Sequence, residues 1–263
     1  MTLDVATRTP AGVAVGTLAR REAWRIVRHP VYLLLLVYFG LIGGVELSPG
    51  LPSRETAQDF LEIVGLLWLG PATFFAANLV ASSARRGHAE SQLAAAPTSA
   101  QTRTLAVCLA VLGPTAAAAG FAAVLWLVDH AGPTLDGALG PAELASLPMC
   151  TLGAGLLGVA VARWLPWRGV ALLVILVLVA WVVAVGNRDG LRWTQPWTVS
   201  PKFFDNVGLG AGSAAWHAVY LLGLGLLAAV AALLRYPSHR RPLLALGAAL
   251  WIGTLAACWA QLP

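Results

Sequence analysis

Charge is scarce in this chain of 263 residues: Asp, Glu, Lys and Arg make up 11% of it, where soluble domains carry about 25%. That scarcity excludes an ordinary water-soluble domain. Lysine is almost missing, with Lys202 alone against sixteen arginines. Lys202 falls in a loop, so no lysine stands in a last apolar stretch where retinal would be attached. Cysteine occurs three times, at Cys108, Cys150 and Cys258. The three are too far apart for a metal motif and odd in number for a disulfide framework; each reads as small apolar filler.

Other absences narrow the chemistry. The five histidines, His29, His88, His130, His217 and His239, lie in five different segments, and no HExxH pattern joins any of them into a zinc site. Ser213 and His217, one helical turn apart, are the single candidate for a nucleophile and its base. A helix-starting serine beside an interfacial histidine accounts for them without chemistry. No GxxxxGK[ST] phosphate loop occurs, so the chain has no such route to ATP hydrolysis. No internal repeat is visible, and acids and bases fall in loops or at the ends of apolar stretches. Proton-coupled transporters and pumps need ionisable groups at membrane depth, so energy for any transport is expected from elsewhere. The sequence shows no cleavable signal peptide, and its first apolar stretch reads as a retained anchor.

What the chain does have is apolar length. Hydrophobic residues are 58% of the sequence, gathered in seven stretches near 30–47, 60–84, 104–128, 144–162, 169–186, 213–234 and 242–260. A hydrocarbon core about 30 Å thick takes about 20 apolar helical residues to cross. The expected fold is an all-α polytopic membrane protein. Arginine marks its sidedness: the segments 1–29, 85–103, 163–168 and 235–241 hold thirteen of the seventeen basic residues and three of the twelve acids. Positive charge accumulates on the cytoplasmic side, which places the N-terminus inside and residue 263 outside. These topology signals account for the net charge of +5 without nucleic acid. Arginine in place of lysine, with abundant alanine and glycine, fits a GC-rich bacterial genome and hence a bacterial plasma membrane.

Several segments carry detail. Residues 1–15 read as a flexible tail. Residues 16–29 form an amphipathic helix with Arg21, Arg25 and Arg28 on one face and Ala19, Ala23, Ile26 and Val27 on another, suited to the membrane interface. Pro30 ends it, and His29 before the proline leaves helical geometry. Pro71 and Pro114 are expected to kink the second and third spans. The fourth span, rich in Gly153, Ala154, Gly155, Gly158 and Ala160, reads as an internal packing helix. In the outer connection 187–212, Trp193, Trp197, Phe203 and Phe204 suit the headgroup zone.

Residues 84–103, ARRGHAESQLAAAPTSAQTR, form the most informative loop. Arg85 and Arg86 close the second span, and Gly87 lets the chain turn. His88 to Ala96 has helical propensity, with Glu90 and Gln92 polar and Leu93 the single large apolar residue. Pro97 stops that helix, and Thr98 or Ser99 caps the next one. A two-turn helix thus hangs beneath the membrane.

In this order of elements the chain resembles the type-2 ABC transporter permeases, the membrane subunits of a class of bacterial ABC exporters. Arg86-Gly87, Glu90, Leu93 and Ala96-Pro97-Thr98-Ser99 follow the family's sequence of basic residue, glycine, glutamate, leucine-rich turn and proline stop. ARREAWRIVRHP before the first span resembles the family's elbow helix, with Arg21, Trp24, Arg25 and Arg28. The resemblance covers residues 16–235. It implies a six-span bundle with an N-terminal interfacial elbow helix, to which residues 242–260 add a seventh C-terminal span. It implies that 88–96 is a coupling helix docking on a separate ATPase subunit, with His88, Glu90, Gln92, Leu93, Pro97 and Thr98 as the docking residues. The chain would be no enzyme by itself: ATP and Mg would sit on two copies of the ATPase subunit, and a second permease copy or a related permease would complete the pathway. His88 stands where the family has threonine after the glycine, and the family keeps both termini cytoplasmic. Both departures bear on the first docking contact and on the C-terminal region. The competing readings are a non-transporting membrane subunit for assembly or immunity, and a seven-span receptor.

Overall fold

The computed structural model describes residues 11–46, 61–62, 64–87, 98–131, 140–165, 167, 169–186, 191–196 and 213–262. Among them every regular element is helical. Helix α1 spans Ala11–Val27 and α2 Val31–Glu46. A π-helical stretch, Val64–Leu69, leads into α3, Gly70–Ala81, followed by the single turn Ser83–Arg86. Next come α4, Ala100–Ala110, and α5, Leu112–Ala131, nearly continuous through Val111. Helices α6 (Pro141–Trp164), α7 (Val170–Gly186), α8 (Ala214–Leu234) and α9 (Arg240–Ala260) complete the chain.

Five of these helical stretches are long and apolar enough to cross a bilayer: Val64–Ala81, Ala100–Leu127, Pro141–Trp164, Ala214–Leu234 and Arg240–Ala260. The chain is an all-helical multi-pass membrane protein. Helix α2, with 16 residues, and α7, with 17, are shorter but almost wholly apolar. Leu33, Leu34, Leu172, Leu173, Val177 and Val183 on these two stand exposed, as lipid-facing side chains do.

Helix α6 is the hub, with 78% of its apolar window buried, whereas the corresponding window of α9 is 11% buried. It packs against α3, α5 and α8. Lipid gives helices no hydrophobic reason to associate, so backbone approach and interhelical hydrogen bonds must hold them. Gly158 supplies both. A Cβ there would collide with the Phe74 carbonyl and come within 3.2 Å of the Asn78 nitrogen. Its own carbonyl accepts the buried Asn78 Nδ2–H at 3.1 Å. On the other side of the bundle, Gly223 of α8 lets Thr254 of α9 approach to contact, where a Cβ would leave no room.

The prolines are absorbed in different ways. Pro71 has no N–H to give the carbonyl four residues before it, and the turn ahead of it widens to π geometry. Near Pro114 the α4–α5 helix is interrupted at Val111. Pro148 lies inside α6, which runs without a break from Pro141 to Trp164. Ser99, with extended backbone, is the cap of α4, its Oγ accepting the Thr102 N–H at 3.0 Å. Helix α1 starts at Ala11, five residues before the periodicity of 16–29 places it, so part of the expected tail is helical.

One acid is more buried than its place in the sequence suggests. Glu62, assigned to a span end, is fully buried with Leu61, Val64 and Leu147, and lies within electrostatic reach of Cys150 in mid-α6. Glu62 stands two residues before the apolar span Val64–Ala81, at the span end where the sequence puts it. The residues flanking Glu62 are apolar, and the hydropathy of the segment conceals the carboxyl.

Candidate functional site

The arginines converge at one end of the bundle. Arg85 follows α3, Arg103 lies in the first turn of α4, Arg163 is next to last in α6, and Arg235 follows α8. With Arg21 and Arg25 of α1 they line a cavity of about 930 Å³. Among the described lining residues Glu22 is the one carboxylate, and it pairs with Arg25 at 2.8 Å. Carbonyls at the helix ends hold the guanidinium groups in place: Arg85 Nη1 donates to Ala162 O at 3.4 Å and Arg163 Nη1 to Ala81 O at 3.2 Å. Cations near helix C-termini are favoured by the macrodipole. These reciprocal bonds tie α3 to α6. Among the described residues the buried Arg163 Nε–H has no hydrogen-bond partner.

Helix α1 forms one wall. Ile26 is completely buried, and Ala23 and Val27 pack where Gly113 at the start of α5 leaves room. The basic residues of this helix do not act as one face. Arg21 and Arg25 are exposed but line the cavity, whereas the Arg28 guanidinium lies 3.8 Å from the centroid of the Trp24 ring, a cation–π contact. Trp24, Trp164 and Trp167 are all more than half exposed at this end, as aromatic side chains at a headgroup boundary are.

His29 links α1 to α2. Its Nδ1 accepts the Val31 N–H at 3.3 Å, which requires the neutral ring. Burial first, then the positive charges of Arg86 and Arg25, hold its pKa below the usual 6.5. The fold thus favours the neutral form. Its contribution is complete above 6.5 and is lost as pH falls through the lowered value, where the unfolded chain binds the extra proton. We expect the midpoint of thermal unfolding to fall between about pH 7 and 5 more in the wild type than in His29→Asn, whose side chain keeps an acceptor without titrating. Parallel pH profiles for the two proteins would contradict this role.

Of the docking residues read from the sequence, His88, Glu90, Gln92, Leu93 and Pro97 lie outside the described residues. Thr98 is described: it is partly buried, lines the cavity, and its carbonyl accepts from Arg103 Nη1. Arg85 and Thr98, on either side of residues 88–97 in sequence, border the same cavity as Arg21 and Arg25.

At the opposite end the histidine–serine candidate dissolves. Ser213 Oγ caps α8 by accepting the Trp216 N–H at 3.4 Å. The His217 ring is fully buried, and its Nδ1 lies 2.9 Å from Gln261 Oε1 at the end of α9. Gln261 Nε2 donates to Trp193 O at 2.8 Å, and Tyr220 OH to Thr194 O at 2.9 Å. The expectation of Trp193 at the headgroups is corrected: it is 2% exposed, edge-on to His217 with ring centroids 5.8 Å apart. The short 3₁₀ turn Leu191–Thr194 is packed onto α8 by protein partners that the local sequence does not announce. Trp197, Phe203 and Phe204 lie outside the described residues. Helix α9 is therefore fixed to the bundle at Gly223 and again at its last turn. Among the described residues no cluster of His, Cys, Asp or Glu could hold a metal ion.

Compared with family models, curated proteins and solved structures, the chain matches none.

Proposed function

We propose that this chain is the membrane-spanning permease subunit of a bacterial ABC exporter. It would form the substrate pathway in the plasma membrane and be driven by a separate ATPase subunit docking at residues 85–103. In this reading α2 and α7 also cross the bilayer, giving six spans of the permease bundle with α1 as its elbow helix and α9 as a seventh. The thirteen-to-four bias of basic residues turns the cavity end toward the cytoplasm.

The observation that carries the reading is that Arg85 and Thr98, on either side of residues 88–97 in sequence, border the same arginine-lined cavity. Both residues lie at the arginine-bearing face, beside α1, which packs against α4 and α5 rather than running free. A short helix hung there would meet a partner that pushes on α3, α4 and α1 together. The order of residues from Arg86 to Ser99 supports the same reading.

The test is partnership. The isolated chain in nanodiscs is expected to hydrolyse no ATP, and in its native host to purify with two ATPase chains and a second permease copy or related permease. Hydrolysis by the isolated chain, or purification without any ATPase subunit, would overturn the proposal. The latter outcome would favour a non-transporting assembly or immunity subunit.

A further inference from the structure

The turn between α8 and α9 is fastened to the bundle and carries charge of one sign. Residues 235–239 reverse the chain between Leu234 and Arg240. His239 does this with φ at 54°, left-handed backbone that a residue with a Cβ adopts at a cost. Gln101 Nε2 donates to Ser238 O at 2.9 Å, and the Thr104 and Tyr236 hydroxyls lie 3.4 Å apart. The turn is thus tied to the start of α4, where Gln101 follows Thr98 within one helical turn at the arginine-bearing face. Pro237, Ser238 and His239 are exposed beyond the ends of both helices, and Arg240 and Arg241 are exposed in the first turn of α9.

No acid follows Asp205 in the sequence, and among the described residues neither Arg240 nor Arg241 pairs with a carboxylate. Positive charge at the start of a helix opposes the macrodipole. The first turn of α9 holds no acid to offset it, and His239 makes no capping side-chain bond. Arginines at the end of α8 would mark the cytoplasmic side equally well, with the dipole in their favour. We propose that this turn is a second docking surface for the ATPase subunit, on which an acidic patch of that subunit meets Arg240 and Arg241 while residues 88–96 enter its cleft. The inference rests on the permease reading and names a further contact within it. A carboxylate brought from outside offsets the charge that the helix start disfavours, and a guanidinium takes it through two parallel N–H bonds. Anionic headgroups also attract arginine, but a fluid leaflet needs no fixed geometry. A turn pinned to α4 and shaped by His239 offers the fixed outline that a folded partner matches.

The experiment uses the complex purified through the full chain from its native host, with the partner scored as the co-purified chain that hydrolyses ATP. Ser238→p-benzoylphenylalanine keeps the carbonyl that Gln101 bonds and is expected to cross-link to that ATPase chain under ultraviolet light. In nanodiscs, Arg240→Gln/Arg241→Gln is expected to lower affinity for the purified ATPase subunit roughly tenfold, the loss of two exposed ion pairs, and to flatten its dependence on salt. Arg240→Lys/Arg241→Lys, which keeps the charge, should bind nearly as the wild type does. If the glutamine variant does not insert, the cross-link alone decides. Cross-linking from position 238 to lipid only, or to nothing, overturns the proposal and leaves the permease reading standing, as does undiminished affinity in the glutamine variant. Absence of an ATPase subunit from the wild-type preparation overturns the permease reading and this contact together.

Discussion

Gly158→Leu is expected to yield little folded protein, while Gly120→Leu in α5 is tolerated. Both replace a helical glycine by the same side chain, so helix propensity cannot separate them. Their surroundings do. A Cβ at Gly120 has nothing within 4 Å, whereas one at Gly158 meets the Phe74 carbonyl. Overpacking a core usually costs about 1–3 kcal/mol because side chains shift to make room. Here the obstacle is backbone, which cannot rotate away, so the cost should reach the top of that range or exceed it. Separating α3 from α6 would also stretch the Asn78–Gly158 hydrogen bond, and such bonds in membrane bundles average about 0.6 kcal/mol. The steric term therefore dominates. Monodispersity on size exclusion after stepwise heating reads the outcome. Equal melting of the two variants would mean that α3 and α6 can move apart without loss.

Leu93→Asp is expected to abolish or strongly weaken assembly with the ATPase subunit while leaving membrane insertion intact. If residues 88–96 dock in a cleft, Leu93 is the one large apolar side chain they can bury, with Glu90 and Gln92 at the rim. Binding energy then concentrates in that side chain, as it does at interface hot spots, and its loss should cost on the order of 1–2 kcal/mol or more. That is roughly a five- to thirtyfold loss of affinity, and an aspartate adds a buried charge. Co-purification measures assembly, and ATP hydrolysis set against transport measures coupling. Arg85 and Arg86 should matter more for topology than for docking. A Leu93→Asp protein that assembles and transports normally would make this loop a solvated connection, leaving the permease reading on the family resemblance alone.

The spans were legible because hydropathy is additive along the chain. Residues 213–234 differ by one from the observed Ala214–Leu234, and 144–162 lies within Pro141–Trp164. Ser99 as a cap was legible for a similar reason: a capping bond joins residues three apart. The glycines and alanines of the fourth span pointed to close packing, but not to Phe74 as the neighbour. Trp193 misled, because an aromatic residue among prolines and charges has the same local signature at a headgroup as against a buried histidine. The burial of Glu62 was not legible, because a single carboxyl at the end of an apolar run does not say which way it faces.

By itself, then, the sequence determined that the chain lives in a bilayer, where its helices run, and on which side its arginines gather. Each of these depends on residues close in the chain. Tertiary structure alone decided that Arg21, Arg103, Arg163 and Arg235 share one cavity and that Gln261 closes on His217 and Trp193. Those groups come from helices far apart in sequence. Which helix ends meet is settled by where glycine lets two backbones touch, and hydropathy, a property of one residue at a time, carries no record of that.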